Sequence, residues 1–159
     1  MAGVFLARSL FAGALALAAE GPLDITLFNT PGTPTAKGHA RLVFAQSPFG
    51  VAVTADGRHV YDVVADVSGL PEPSTLGAYT TYVAWAVTTD LKKWERLGTI
   101  ANGANTVGHA TQNKFLFVIT AEAGATPAVH KGPTVLHGSS PSTWLQSFLS
   151  HPLFRGIPP

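Results

Sequence analysis

Histidines are the side chains of this sequence with the clearest capacity for chemistry, because imidazole nitrogens bind copper, zinc and nickel. There are six: His39, His59, His109, His130, His137 and His151. None of them forms a His-x-His or His-x-x-x-His pair, so a metal site needs ligands brought together from separate elements. His130 and His137, which flank one predicted loop, are the candidate ligands. A histidine-based copper or zinc protein is therefore one of two functions that the sequence leaves open.

Other reactive groups do not form a catalytic pattern. Asp62 and Asp66 are four residues apart on a predicted strand, so they share a face about 13 Å apart, too far to act on one bond. Ser139 lies near His137, but no acidic residue accompanies them in a triad pattern. Motifs of hydrolase elbows, phosphate loops and dinucleotide-binding loops are also missing. We therefore predict a protein that is not an enzyme and holds no cofactor.

Composition narrows the kind of partner. The chain has 159 residues, enough for one domain with its own core, and 46% of them are hydrophobic while 12% are charged. It contains no cysteine, which excludes disulfides and cysteine-ligated zinc. Without Arg8, nine basic residues balance nine acidic ones, and no cluster of Lys and Arg is present. We expect a protein partner, not a nucleic acid or an anionic membrane.

The first 18 residues are predicted to be a signal peptide. Arg8 supplies a thin positive region, an apolar stretch runs from Leu10 to Ala19, and Ala16-Leu17-Ala18 is a small-x-small cleavage site. The apolar stretch is too short to span the roughly 30 Å hydrocarbon core of a bilayer. The sequence thus predicts a mature chain, residues 19–159, that is periplasmic or secreted in a bacterium and is not stably inserted in a membrane. The absence of cysteine is compatible with that compartment.

Short β-branched and aromatic runs between Gly/Pro turns predict roughly eight strands. In YTTYVAWAVTTD, residues 79–90, both faces are apolar or aromatic, which predicts a central strand with Trp85 in the core. Residues 55–58, Ala-Asp-Gly-Arg, predict a hairpin tip, and ANGAN, residues 101–105, is predicted to be a loop. The expected fold is all-β: one immunoglobulin-like antiparallel β-sandwich domain over residues 19–159.

A short helix is predicted after the last strand. Ser140 can cap it and Pro141 suits its first turn. Its apolar stripe, and the apolar tail that follows within residues 140–159, contain Trp144, Leu145, Phe148, Leu149, Leu153, Phe154 and Ile157. Such a stripe either covers the protein's own sandwich or docks on a partner or on a second copy of the chain. For the second case, the candidate partner-binding residues are Trp144, Phe148, Leu149 and Phe154.

Four segments carry a family pattern. They are DGRHVYDVVADVSGLPEP (56–73), YTTYVAWAV (79–87), LGTI (97–100) and FVITAEAGATPAVHKGPTVLHG (117–138). Together, over about residues 50–138, they resemble the extracytoplasmic C-terminal domain of anti-sigma-K factors of the RskA type. The resemblance implies an immunoglobulin-like sandwich outside the cytoplasm. It does not extend to sigma-factor inhibition, because that family places a sigma-binding domain and a transmembrane helix before this region.

The two functions left open belong to different classes. The first is an exported, non-enzymatic interaction or sensor module, an accessory to a cell-envelope complex. The second is the histidine-based metal protein. The first predicts that polar substitutions in the tail abolish partner binding, and the second predicts that histidine substitutions abolish metal binding.

Overall fold

The computed structural model describes residues 21, 23–112 and 114–140, and these residues form ten β-strands. A single 3-10 turn, Pro73–Leu76, accompanies them, and none of the described residues is α-helical. The strands are β1 Asp24–Asn29, β2 Lys37–Phe44, β3 Gln46–Ser47, β4 Gly50–Val51, β5 Tyr61–Ser68, β6 Thr81–Val87, β7 Trp94–Ile100, β8 Gly103–Ala110, β9 Leu116–Glu122 and β10 Thr134–Ser139. The prediction of an all-β fold is confirmed.

Eight of the strands form one antiparallel sheet in the order β7-β6-β9-β10-β1-β2-β5-β8. The sheet curves until its two edge strands, β7 and β8, lie side by side. Glycines permit this approach: a Cβ atom on Gly98 would lie 2.4 Å from the Val107 carbonyl oxygen, and one on Gly108 would lie 2.6 Å from the Leu97 carbonyl oxygen. The sheet therefore nearly closes on itself around its core.

β1 joins the two halves of this sheet because it changes partner along its length. Its first four residues, 24–27, pair with β2, whereas Phe28 and Asn29 pair with β10. The predicted division into two separate sheets is thus not confirmed, since continuous pairing runs through β1. The predicted C-terminal helix and the predicted signal peptide lie outside the described residues.

The enclosed face of the sheet holds the main core. On β5, every second side chain points inward: Tyr61, Val63, Ala65 and Val67 are buried. Phe117 and Ile119 of β9 lie in the same core. The residues between them on β5, including Asp62 and Asp66, lie on the outer face, as the sequence spacing predicted.

The outer face of β6 and β9 carries a second, smaller apolar cluster. Val83, Trp85, Val87 and Val118 form it, and each is at most 6% exposed. β6 has a neighbour on both sides and apolar residues buried on both faces, which confirms its predicted central place. Trp85 is buried as predicted, but in this outer cluster and not in the main core.

The sequence did not predict β8. The segment ANGAN was expected to be a loop, yet β8 begins at Gly103 and pairs with β5 along its length. Only Val107 and Ala110 of β8 are buried in the main core, so the strand lacks a visible apolar alternation. The Asn105 side chain also hydrogen-bonds the backbone of Ala101 and Gly103, which makes the tight β7–β8 turn.

Candidate functional site

The described histidines are distributed over the molecule. His39 and His109 lie on β2 and β8, His59 lies before β5, His130 lies in the β9–β10 loop and His137 lies on β10. In the part of the chain that the structure describes, no three His, Cys, Asp or Glu residues are grouped so as to hold a metal ion. His109 instead pairs with Asp62, Nδ1 to Oδ1, at 2.7 Å. His151 lies outside the described residues.

The two candidate metal ligands contact aromatic rings. The His130 ring lies edge-on to Trp94, with ring centroids 3.6 Å apart. His137 lies beside Phe28 on the neighbouring β1, with centroids 6.3 Å apart. Each of these imidazoles thus packs against an aromatic side chain on the outer face of the sheet.

A buried polar relay fixes the loop that carries His130. The Trp85 indole N–H donates to the Thr120 hydroxyl at 2.8 Å, and that hydroxyl donates to the Glu122 carboxylate at 2.7 Å. Glu122, only 2% exposed, also accepts hydrogen bonds from the backbone amides of Lys131 and Gly132. A buried carboxylate satisfied by its own chain anchors the β9–β10 loop over the outer cluster. Trp94 packs here against Trp85 and His130.

A shallow cleft lies on the outer face of β2, β5 and β8. Its volume is about 350 Å³, and its lining includes His39, Arg41, Asp66 and Asn105. Arg41 is held by an ion pair with Asp24 at the edge of this surface. Its lining holds one permanent charge of each sign, on Arg41 and Asp66, so the cleft has no single-sign field that would select an ionic ligand.

Exposed apolar side chains concentrate in one segment. Among the described residues, eight large apolar side chains are exposed, and five of them lie within residues 43–53: Val43, Phe44, Phe49, Val51 and Val53. Phe49 is 99% exposed. We call residues 43–60, the last two residues of β2 and its connection to β5, the apolar finger. Concentrated exposure of large apolar side chains marks candidate binding sites in soluble proteins.

Two consecutive turns build the finger. β3 and β4 form a two-stranded ladder whose turn ends at Gly50, where φ is +120°. A second turn ends at Gly57, where φ is +79°, and a bridge between Val53 and His59 closes it. This is the hairpin tip predicted at residues 55–58. Glycine serves at both turns because positive φ is costly for other residues.

Backbone hydrogen bonds hold the finger in place. The Ala45 amide donates to Val60, the Ala52 amide donates to Ala45, and the Val60 amide donates to Ala52, over distances of 2.7–3.0 Å. The exposed apolar side chains therefore project from a hydrogen-bonded scaffold, which limits the entropy that binding would cost.

An aromatic cluster forms the base of the finger. The Phe44 ring lies 5.2 Å from the His59 ring and 5.1 Å from the Tyr61 ring, centroid to centroid. Beside it is a notch of about 280 Å³, lined in part by Arg58, His59 and Gln112. The finger therefore combines a protruding apolar tip with an adjacent notch lined in part by aromatic rings, and a partner can contact both.

The charges of the finger cancel. Its only charged residues are Asp56 and Arg58, which pair at 2.8 Å between Oδ2 and Nε. Hydrogen bonds from the Thr54 hydroxyl and the Arg58 guanidinium lower the pKa of the Asp56 carboxyl. With no excess of positive charge, the finger lacks the attraction that anionic lipids or nucleic acids require.

Sequence reasoning placed the binding residues elsewhere. Trp144, Phe148, Leu149 and Phe154, the predicted partner-binding residues, lie outside the described residues. Within the finger, the sequence predicted only the hairpin tip at residues 55–58 and no exposed apolar segment. One sequence feature could have drawn attention to it: Phe49 lies between Pro48 and Gly50. The flanking Pro and Gly place this aromatic residue in a turn and not on a strand face, although a turn does not by itself determine whether the side chain meets the core.

Comparisons with known proteins do not place the chain in a family. No family model matches it, and searches of curated proteins and of solved structures found no match. Within the described ranges, no helix is long and apolar enough to cross a membrane.

Proposed function

We propose that this protein is an exported, non-enzymatic interaction module that docks a protein partner through the apolar finger. The observation that carries the proposal is the concentration of exposed Val43, Phe44, Phe49, Val51 and Val53 in one segment. Burying one such side chain contributes about 1.5–3 kcal/mol, so a partner that covers several of them gains a large share of its binding free energy.

The chemistry of the finger favours a protein over other partners. Interface hot spots are enriched in aromatic residues at the centre of a buried patch, and Phe49 and Phe44 supply such residues. The nearest charges, Asp56 and Arg58, neutralise each other. A partner with a small apolar patch and little net charge fits this surface best.

Three features of the sequence support export and a sandwich architecture. Residues 1–18 have the composition of a signal peptide, and the chain lacks cysteine. Residues 50–138 resemble the extracytoplasmic domain of RskA-type anti-sigma-K factors. The change of partner along β1 is compatible with an immunoglobulin-like sandwich in which β1 contributes to both layers. In this proposal the module serves as an accessory to a cell-envelope complex.

Phe49→Ser tests the proposal, with Phe28→Ser as its matched control. Phe28 is 60% exposed on β1, away from the finger, so both changes remove an exposed phenylalanine. A photo-crosslinking residue at position 49 identifies the partner, and calorimetry with the purified partner gives the dissociation constant. We expect Phe49→Ser to weaken binding at least tenfold, or about 1.4 kcal/mol, and Phe28→Ser to change it less than twofold. Equal effects of the two substitutions would contradict docking through the finger.

A further inference from the structure

The finger and residues 141–159 are connected to the same end of the sheet. Strand register shows this: Tyr61, where β5 begins, pairs with Phe44 at the end of β2, and Asp24 pairs with Arg41 of the same strand. β10 runs antiparallel to β1, with His137 beside Phe28, so its last residues lie next to the beginning of β1. The chain therefore leaves β10 at the end of the sheet from which the finger projects.

Ser140 fixes this exit point. It is fully buried, its amide donates to the Phe115 carbonyl oxygen, and its hydroxyl accepts from the Phe115 amide, each at 3.0 Å. β10 and β2 both neighbour β1, so they lie about 10 Å apart across the sheet. Residues 141–159 are 19 residues, which reach at most about 65 Å when extended. The finger lies well within that reach.

The composition of the segment complements the finger. Its large apolar residues are Trp144, Leu145, Phe148, Leu149, Leu153, Phe154 and Ile157. Arg155 is its only residue with a permanent charge. The finger presents exposed apolar side chains and a neutral Asp56–Arg58 pair. Apolar residues of the segment and of the finger can therefore bury one another, and covalent connection gives the segment a high effective concentration at the finger.

We propose that residues 141–159 dock on the apolar finger of their own chain and cover Phe49. The segment then competes with a partner protein for the same surface, so the finger becomes available only when the segment is displaced. The docking is an intramolecular contact and stands by itself. The competition rests on the proposed function.

Hydrogen exchange of the full chain tests the docking. We expect Phe49→Ser/Val51→Ser to accelerate amide exchange in residues 141–159 at least tenfold, while Phe28→Ser leaves it unchanged. Reciprocally, Trp144→Ser/Phe148→Ser should accelerate exchange in the finger. Exchange in β6 and β9 reports whether a variant is still folded. If Trp144→Ser/Phe148→Ser unfolds, the Phe49→Ser/Val51→Ser variant still tests the docking, because it changes only exposed side chains. Unchanged exchange in residues 141–159 of a folded finger variant would overturn the proposal.

A dilution series and the partner-binding assay distinguish intramolecular docking from two alternatives, contact with a second copy of the chain and docking of the segment on the partner. Protection that disappears on hundredfold dilution, together with dimers in sedimentation, would replace the proposal by contact with a second copy. With the purified partner, Trp144→Ser/Phe148→Ser should tighten binding at least tenfold, because it removes the competitor. If it weakens binding and leaves exchange in the finger unchanged, the segment docks on the partner and the proposal fails. If exchange is coupled but Phe49→Ser leaves partner affinity unchanged in the Trp144→Ser/Phe148→Ser background, where the competitor is already removed, the intramolecular docking stands and the proposed function fails.

Discussion

At the scale of the residue, two kinds of side chain depart from the simple rule of apolar inside and polar outside. Glu122 is buried with its hydrogen bonds satisfied by Thr120 and by loop amides, so it works as an anchor. Phe49 is almost fully exposed at a turn, and the proposed function makes it a contact residue. The buried Glu122 is tolerated because its hydrogen bonds are made. The exposed Phe49 ring contributes almost no burial free energy to folding, so in the proposed function that free energy is gained on binding.

Thr120→Val should lower the free energy of unfolding more than Thr99→Val, a matched substitution on the same sheet. The valine keeps the shape but leaves the buried Trp85 indole N–H without its acceptor and the Glu122 carboxylate without one donor. An unsatisfied buried polar group costs about 1–3 kcal/mol, so we expect a loss of that size in the free energy of unfolding by urea denaturation. Thr99→Val, on the exposed side of β7, should change it by less than about 0.5 kcal/mol. Equal losses would show that the relay contributes nothing.

Asp24 should make the stability depend on acid pH. A hydrogen bond from the Arg41 guanidinium and another from the Gly21 amide lower the pKa of the Asp24 carboxyl. A carboxyl with a lower pKa in the folded than in the unfolded chain stabilises the fold above about pH 4, and this contribution is lost as the pH falls through the folded pKa. We expect Asp24→Asn to lower the free energy of unfolding at pH 7, with the difference shrinking below about pH 4. Arg41→Gln should reproduce this pattern. A difference that does not vary with pH would contradict it.

At the scale of the element, the turn between β7 and β8 decides the shape of the sheet. Its two strands are the sheet's edges, and they approach so closely that Gly98 faces the Val107 carbonyl and Gly108 faces the Leu97 carbonyl. Exposed sheet edges invite pairing with other chains, and the approach of β7 to β8 protects both. The finger is the other decisive element, because its turns present apolar side chains outside the sheet.

Gly98→Ala should separate β7 from β8. The new methyl group would lie 2.4 Å from a backbone carbonyl oxygen, which cannot rotate away as a side chain can. We expect a loss of roughly 1–3 kcal/mol in the free energy of unfolding, with faster amide exchange in β7 and β8. Gly32→Ala is the control, because nothing lies within 4 Å of its added methyl group. If Gly98→Ala is as stable as the control, the edges are not in close contact in solution.

At the scale of the whole molecule, strand order gathers the proposed functional parts at one end. The β2–β5 connection contains the finger, and β8 and β10 also finish at this end. The β9–β10 loop, with His130 and the Glu122 anchor, belongs to the opposite end but folds back over the outer cluster. One end thus carries the exposed apolar finger, whereas the outer face of β6 and β9 is covered by the β9–β10 loop. In the proposed function this end binds the partner, and the chain leaves β10 at the same end.

The sequence by itself determined the fold class and most of the strands. Alternation in β5 and continuous apolar character in β6 and β9 follow from which faces are buried, so those strands and the tip at Gly57 were predictable. β8 was not, since only two of its side chains enter the core and the remainder of its pairing is through the backbone. Backbone pairing between distant segments leaves no residue pattern.

Only the tertiary structure decided which surfaces remain exposed. The sequence identified His130 and His137 by residue type, but their surroundings, Trp94 and Phe28, come from other strands. It likewise drew attention to the apolar residues after Ser140 and passed over Phe49, because local sequence does not tell whether an apolar side chain meets the core. Burial is a property of the assembled sheet. Strand order and register placed the finger outside the core, at the end of the sheet where the chain leaves β10. Local sequence preferences do not determine this position.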